Sequence, residues 1–217
     1  MSDLDTDFLL KTWVAGWATT RGCAPPVASG PGWRVEVGLP DQVRRHVFAR
    51  DNGTLRDLGA TVTEPWVWIK ACMPHEELRA LMPPRWQVRA DTSCFMRFAG
   101  APPSVRLPAG YELREFDEAG VHFARLHAAD GTLAARGQLA MAGDSAIFDR
   151  IRTEDAHQRR GLGRALMAVL HAQAHERGAA RGLLAATPSG RALYTTLGWI
   201  EQASYASAVI EGPLVEA

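Results

Sequence analysis

Gln158-Arg159-Arg160-Gly161-Leu162-Gly163-Arg164-Ala165-Leu166 reads as a glycine turn that runs straight into a helix. Just before it, Ile147-Phe148-Asp149-Arg150-Ile151-Arg152-Thr153 reads as a strand. A strand, a glycine turn and a helix N-terminus together make a seat for a pyrophosphate. The first N–H groups of a helix have no partner in the chain, and the helix dipole favours negative charge there. Glycine at 161 and 163 lets the backbone approach an anion with no Cβ in the way. No Gly-Lys-Ser/Thr follows, so this is not a Walker A loop, and the spacing is not G-x-G-x-x-G.

Downstream, the helix predicted from Gly161 to Arg177 has one apolar face (Leu162, Leu166, Val169, Leu170) and ends at Gly178. An apolar strand, Gly182-Leu183-Leu184-Ala185-Ala186, comes next, then Ala192-Leu193-Tyr194-Thr195-Thr196-Leu197-Gly198-Trp199 within a helix over 189–197, and a last strand over 205–210. Upstream, strands are expected at 111–116, 121–128, 132–142 and 145–153, with Asp130-Gly131 as a hairpin turn. Ala101-Pro102-Pro103 is the natural linker. Before it the pattern predicts a helix over 5–20, a Pro/Gly-rich loop over 22–32, strands at 34–38, 44–49 and 66–72, and the turn Asp51-Asn52-Gly53. A short helical piece at 55–58, a helix over 74–82 and a single strand over 87–98 complete this half.

The Gln-x-x-Gly-x-Gly turn and the Ala-Leu-Tyr-Thr-Thr-Leu-Gly-Trp run resemble the two signature elements of the GCN5-related N-acetyltransferase (GNAT) superfamily, with Trp in place of the usual Phe. The resemblance covers roughly residues 106–212 and is densest over 147–200. It implies an α/β (α+β) GNAT acyl-CoA N-acyltransferase fold, a mixed central sheet whose fourth and fifth strands splay apart. One departure is visible: the family's two helices after strand one are missing, since only Asp117 to Gly120 separate the first two strands. The expected division is 1–103, an N-terminal α/β region that could be a degenerate GNAT-like copy and supply the acceptor wall, and 106–217, the acetyltransferase domain. No glycine turn of this kind occurs in the first part, so no second cofactor site is expected there.

The resemblance also assigns roles. Acetyl-CoA is the implied co-substrate, its pantetheine arm lying along Ile151, Arg152 and Thr153. Its pyrophosphate would rest on the amides of Arg159, Arg160, Gly161, Leu162, Gly163 and Arg164, and Thr187 stands where the family often has a cofactor-contacting Asn. Tyr194 matches the tyrosine that protonates the departing thiolate; a phenol near pKa ~10 suits a thiolate leaving group. Family members that acetylate N-terminal peptides often carry Glu where this chain has Gly182. Asp149 is then the candidate general base, on the strand face of Ile151, with a plain salt-bridged Asp as the alternative. His122 and His127 are weaker candidates. His157, His171 and His175 lack a metal partner set, and no metal is expected.

Composition bounds the rest. The 217 residues carry 24 basic and 24 acidic side chains, a net charge of zero that argues against a nucleic-acid partner. All the basic residues except Lys11 and Lys70 are arginine. Arg177 and Arg181 read as a solvated helix face; Arg159, Arg160 and Arg164 beside the turn read as phosphate attractors. Three cysteines, Cys23, Cys72 and Cys94, an odd number without metal spacing, favour a reduced cytoplasmic setting. No signal peptide and no membrane span are visible. Trp13, Trp17, Trp33, Trp66, Trp68 and Trp86 read mostly as core; any that lined the acceptor pocket would favour an apolar or cationic acceptor.

The expected activity is therefore transfer of acetyl from acetyl-CoA to a primary amine of a small molecule, by direct attack, with a homodimer as a plausible assembly. The alternatives are a non-catalytic acyl-CoA-binding sensor or scaffold, and an acyltransferase using a longer acyl donor.

Overall fold

The computed structural model describes residues 5–51, 53–90, 93–101, 103–104 and 106–213. Asn52 of the expected turn and Pro102 of the expected linker lie outside these residues. The chain opens with helix α1, Thr6–Thr20, whose N-terminus is capped by the Asp5 carboxylate. Strands β1 (Val27–Ser29), β2 (Gly32–Leu39) and β3 (Gln42–Phe48) follow, then helix α2 (Thr54–Thr61), strand β4 (Val67–Ala71), helix α3 (His75–Leu81) and strands β5 (Gln87–Val88) and β6 (Cys94–Phe98). The second half runs β7 (Tyr111–Glu118), β8 (Val121–Ala128), β9 (Leu133–Ala142), β10 (Ser145–Thr153), α4 (Leu162–Glu176), β11 (Arg181–Ala186), α5 (Pro188–Thr196), β12 (Ile200–Ser204) and β13 (Ala206–Val209). The β7–β8 connection is a tight hairpin with φ of 50° at Ala119 and 80° at Gly120, so no helix stands there.

These strands form two mixed sheets. One has the order β1-β2-β3-β4-β13-β5 and the other β12-β6-β11-β10-β9-β8-β7. The halves thus exchange a strand. β6, from the first half, lies between β11 and β12, antiparallel to both. β13, the last strand of the chain, lies between β4 and β5. The two connecting segments cross and are tied by Arg89 N–H to Ser207 O at 2.8 Å and Tyr205 N–H to Ser93 O at 2.9 Å. Two sequence readings are corrected here. The run 87–98, read as one strand, supplies β5 to one sheet and β6 to the other, with residues 91 and 92 outside the described set. The strand read at 205–210 is preceded by an unforeseen β12, and it pairs in the first sheet rather than the second.

Each half repeats one device, two parallel strands joined by a helix: β3-α2-β4 and β10-α4-β11. β3 and β4 stay paired over five residue pairs, from Arg44 with Val67 to Phe48 with Ala71. β10 and β11 pair only from Ser145 with Arg181 to Ile147 with Leu183, and then part.

The larger sheet is covered on both faces. The apolar stripe of α4 packs with Phe148, Leu184 and Trp199 on one face. On the other, Leu10, Trp13, Val14 and Trp17 of α1 pack against Ile147, Leu183 and Phe95. Gly16 permits that approach: a Cβ there would stand 2.6 Å from Ile147 Cγ1. Helix α1 therefore occupies sheet surface left bare by the short β7–β8 hairpin. A third cluster joins α2 and α3 to β4 and β13.

Candidate active site

Where β10 and β11 part, a cleft of about 630 Å³ opens. It is walled by Ile151, Arg152 and Thr153 of β10, by the turn before α4, and by the start of α5. β10 carries a bulge there, with the β9 register shifting between Asp149 and Arg152 and Arg150 at φ 52°. A bulge re-aims the strand and frees backbone groups from the ladder. The edge of β10 beyond Ile147, no longer matched by β11, can accept an extended ligand as an added strand.

The turn has the geometry expected of an anion seat. Gly161 is the N-cap of α4 at φ 80°, ψ 3°, a left-handed conformation that residues with a Cβ adopt at a cost. It provides no side-chain cap, so the first-turn N–H groups of α4 keep their donor capacity. Gly163 has a different reason: a Cβ would lie 3.0 Å from Leu193 Cδ2, so glycine lets α5 close against α4. Arg159 and Arg164 line the cleft, and Arg164 also donates to Thr196 Oγ1 at 3.0 Å. Arg160 turns away and donates to the Tyr111 hydroxyl at 3.2 Å, outside the cleft lining.

Thr187 lines the cleft while its hydroxyl caps α5 by accepting from Gly190 N–H at 3.3 Å. Asp155, Gln158, Ser189, Gly190 and Leu193 also line it, and the sequence reading assigned none of them a binding role. The Pro188-Ser189-Gly190 step is the signal that could have found Ser189 and Gly190, and the tyrosine motif itself contains Leu193. Tyr194 reaches the cleft from α5 and is otherwise buried against Trp199, with ring centroids 6.0 Å apart. Burial, and secondarily the Asp149 charge, push the Tyr194 phenol above its ordinary value. Trp199 itself donates its indole N–H to Nε2 of His171 at 3.1 Å. That buried bond gives a structural reason for Trp rather than Phe in the motif.

Asp149 lies on the α1 face. Arg21 holds it through Nε to Oδ2 at 2.5 Å and Nη2 to Oδ1 at 2.9 Å, and Thr20 Oγ1 adds a contact of 3.0 Å to Oδ2. The sequence suggested Arg150 as its neighbour; the partner is instead the residue that ends α1. Gly182 has no room for a glutamate, since a Cβ would stand 2.9 Å from both Phe148 Cε2 and Trp199 Cη2. His122 is buried between Glu115 and Asp117 on the hairpin, at 3.0 and 3.3 Å. Trp13 and Trp17 are each 2% exposed, and the Arg45 guanidinium covers the Trp17 ring at 3.9 Å, so neither offers a face to an acceptor. Among the described residues no cluster of His, Cys, Asp or Glu could hold a metal, and no helix is long and apolar enough to cross a membrane.

Comparison with known proteins agrees with this geometry. Residues 113–208 match the model of the acetyltransferase (GNAT) domain. Among solved structures, the chain is similar to a GCN5-related N-acetyltransferase from Kribbella flavida, with TM-score 0.66 and 14% identity over 98% of each chain. It is similar to a putative acetyltransferase of the GNAT family from Novosphingobium aromaticivorans, with TM-score 0.62 and 19% identity over 96% of this chain and 97% of that one. A tandem GNAT protein from the clavulanic acid biosynthesis pathway aligns over 98% of each chain, with TM-score 0.53 and 15% identity. At such identities the likeness speaks for the fold. No curated protein matches the sequence.

Proposed function

We propose, from the match of residues 113–208 to the acetyltransferase (GNAT) domain and from the shared fold, that this chain is a GNAT enzyme that moves the acetyl group of acetyl-CoA to a primary amine of a small molecule. The observation that carries the reading is the parting of β10 from β11 directly beside the Gly161 turn. The parted edge of β10 suits an extended pantetheine arm, and the amides at residues 159–164 suit a diphosphate. The thioester would then lie at the bulge, with Tyr194 on one side and the end of α1 on the other.

In this reading the amine attacks the thioester carbonyl, a C–N bond forms and the C–S bond breaks. Backbone N–H groups at the bulge stabilise the charge that develops on oxygen. Tyr194 gives its proton to the departing thiolate and regains one from solvent. The amine proton leaves through water, because the Asp149 oxygens are engaged by Arg21 and Thr20; Asp149 acts as a positioning group. The N-terminal half, through α1, supplies the wall of the acceptor side. A cytoplasmic place belongs to the same reading, in keeping with three cysteines that all remain thiols.

The test is calorimetric titration of CoA, followed by thiol release from acetyl-CoA over a panel of amines. Gly161→Val, checked for folding by circular dichroism, should weaken CoA binding at least about tenfold. Full CoA affinity in a folded Gly161→Val, Gly163→Val protein overturns the proposal. One observation favours a second reading: with Asp149 engaged by Arg21, the one carboxylate among the residues lining the cleft is Asp155, which accepts from Gln158 Nε2 at 2.8 Å, and this would suit a sensor that binds acyl-CoA without turnover. Tight CoA binding with no thiol release on any amine would select it.

A further inference from the structure

Arg125 of β8, Arg136 of β9, and Arg150 and Arg152 of β10 line one groove of about 410 Å³, together with Phe123 and Gln138. The strand register explains the convergence. Phe123 stands opposite Gln138 and Arg125 opposite Arg136 across β8 and β9, and Arg136 stands opposite Arg152 across β9 and β10. Directly opposed residues of antiparallel strands share a face. That face is the one α1 covers, since Gln138 Nε2 donates to the Thr20 carbonyl at 2.6 Å. Helix α1 stops at Thr20, and the groove is the sheet surface just beyond its end. Phe116 stacks on Phe123 at 4.8 Å and 11°, and the Arg125 guanidinium sits 4.8 Å over Phe116.

The acidic charge that pairs with several arginines of the molecule is largely missing from this groove. Arg21, Arg44, Arg89, Arg177, Arg181 and Arg191 each meet a carboxylate within 3 Å. Among the described residues, Arg125, Arg136 and Arg150 have no carboxylate within 4.0 Å, and Arg152 has only Glu154 at 3.5 Å. Asp149, the acid nearest in register, is taken by Arg21. In a chain with equal numbers of acidic and basic residues, four arginines therefore gather in one groove with Glu154, beside Arg152, as their one carboxylate partner among the described residues. Guanidinium groups that converge without a protein carboxylate are suited to a planar or tetrahedral oxyanion.

The groove also touches the cofactor cleft. Ile151 and Arg152 line both. We propose that this groove binds an acid group on the acceptor, so that the acceptor is an amine bearing a carboxylate or a phosphate. The inference rests on the acyl-transfer reading of the neighbouring cleft. With the amine at the bulge of β10 and the acid held by Arg125 and Arg136, one or two strand spacings separate them, about 5–10 Å. The acid is thus several bonds from the nitrogen. The apolar methylenes between them would lie along Phe123.

The experiment compares matched amines by calorimetry on protein saturated with CoA: γ-aminobutyrate against n-butylamine, and O-phosphoethanolamine against ethanolamine. The acid-bearing member of at least one pair should bind about tenfold more tightly or better. The pair that shows the preference tells carboxylate from phosphate. Arg125→Gln, Arg136→Gln should remove the preference and leave CoA affinity unchanged; both positions are exposed, so the fold should persist. Equal affinity within both pairs overturns the proposal, as does absence of binding by both acid-bearing amines. A preference that survives the double variant overturns it too. Loss of CoA affinity in the double variant would assign the groove to the cofactor and overturn it as well. Failure of the acyl-transfer reading would look different: either CoA would not bind the native protein, or it would bind and no amine would release thiol from acetyl-CoA.

Discussion

Arg21, the residue that ends α1, grips Asp149 on β10 in a two-point pair, Nε to Oδ2 at 2.5 Å and Nη2 to Oδ1 at 2.9 Å. The pair spans 128 positions of sequence and fastens the first helix to the strand at the edge of the cleft between β10 and β11. A carboxylate whose oxygens are so engaged is a good anchor.

Asp149→Asn and Arg21→Gln should therefore lower kcat by similar factors, and the double variant should be no worse than either alone. Such non-additivity marks groups that act as a unit. Stranding the carboxylate by removing Arg21 should also destabilise the fold by about 1–3 kcal/mol. Steady-state kinetics and urea melts of the three variants check this. A loss confined to Asp149→Asn would restore the carboxylate as the general base.

Tyr194→Phe should cut kcat by about 100-fold or more with the KM for acetyl-CoA little changed. The sign of the pH effect follows from the raised phenol. Burial and the Asp149 charge disfavour the phenolate, so Tyr194 keeps its proton above its ordinary value of 10.0. The alkaline limb of kcat should show no loss at an ordinary phenol pKa. A limb near that value, abolished in Tyr194→Phe, would show that the phenol is not shielded.

His171, buried among Phe98, Phe148 and Trp199, is pulled down to about 4 by burial. In the unfolded chain it titrates near ~6.5. Between those values the unfolded state binds more protons, so stability is full above the unfolded pKa and falls as pH drops toward the folded one. From pH 6.5 to 5 this single group should remove about 2 kcal/mol. Urea melts across that window should show a shallower slope in His171→Gln. An equal slope would mean that other groups carry the acid sensitivity.

Ala208→Asp should damage the first sheet although it lies near the end of the chain. Ala208 is fully buried on β13, opposite Ile69 of β4 and Val88 of β5. An unpaired carboxylate there costs several kcal/mol. Amide hydrogen exchange should quicken first in Val67–Ala71 and spare β7 to β9. Loss of protection confined to β10 and β11 would contradict the strand placement.

Much of this was legible in the chain. Gly161 and Gly163 before an apolar helical stripe marked the turn into α4 that walls the cleft, and the Tyr194 motif marked α5. Alternation and turn residues placed most strands to within a few positions. What the sequence withheld was partnership. A strand's period reports that it has two faces, not which neighbour it pairs with, so 87–98 read as one element and β13 as a member of the second sheet. The same limit hid the Arg21–Asp149 pair, because nothing local links residues so far apart. It hid the arginine groove too: Arg125, Arg136 and Arg152 converge only once three strands are in register. The resemblance implied that the short step between Asp117 and Gly120 leaves one sheet face without its usual helices, and α1 covers part of that face in the structure.

The exchange of β6 and β13 has a consequence for how the protein is made. A ribosome delivers α1 to β5 first, yet the slot between β4 and β5 stays vacant until Ala206–Val209 leaves the exit tunnel. The half made earlier must wait, with β4 exposing an unpaired edge, for β13 to close it. Nascent chains stalled before that point should need chaperone shelter, and the arrival of β13 should be the moment at which both halves become solid together.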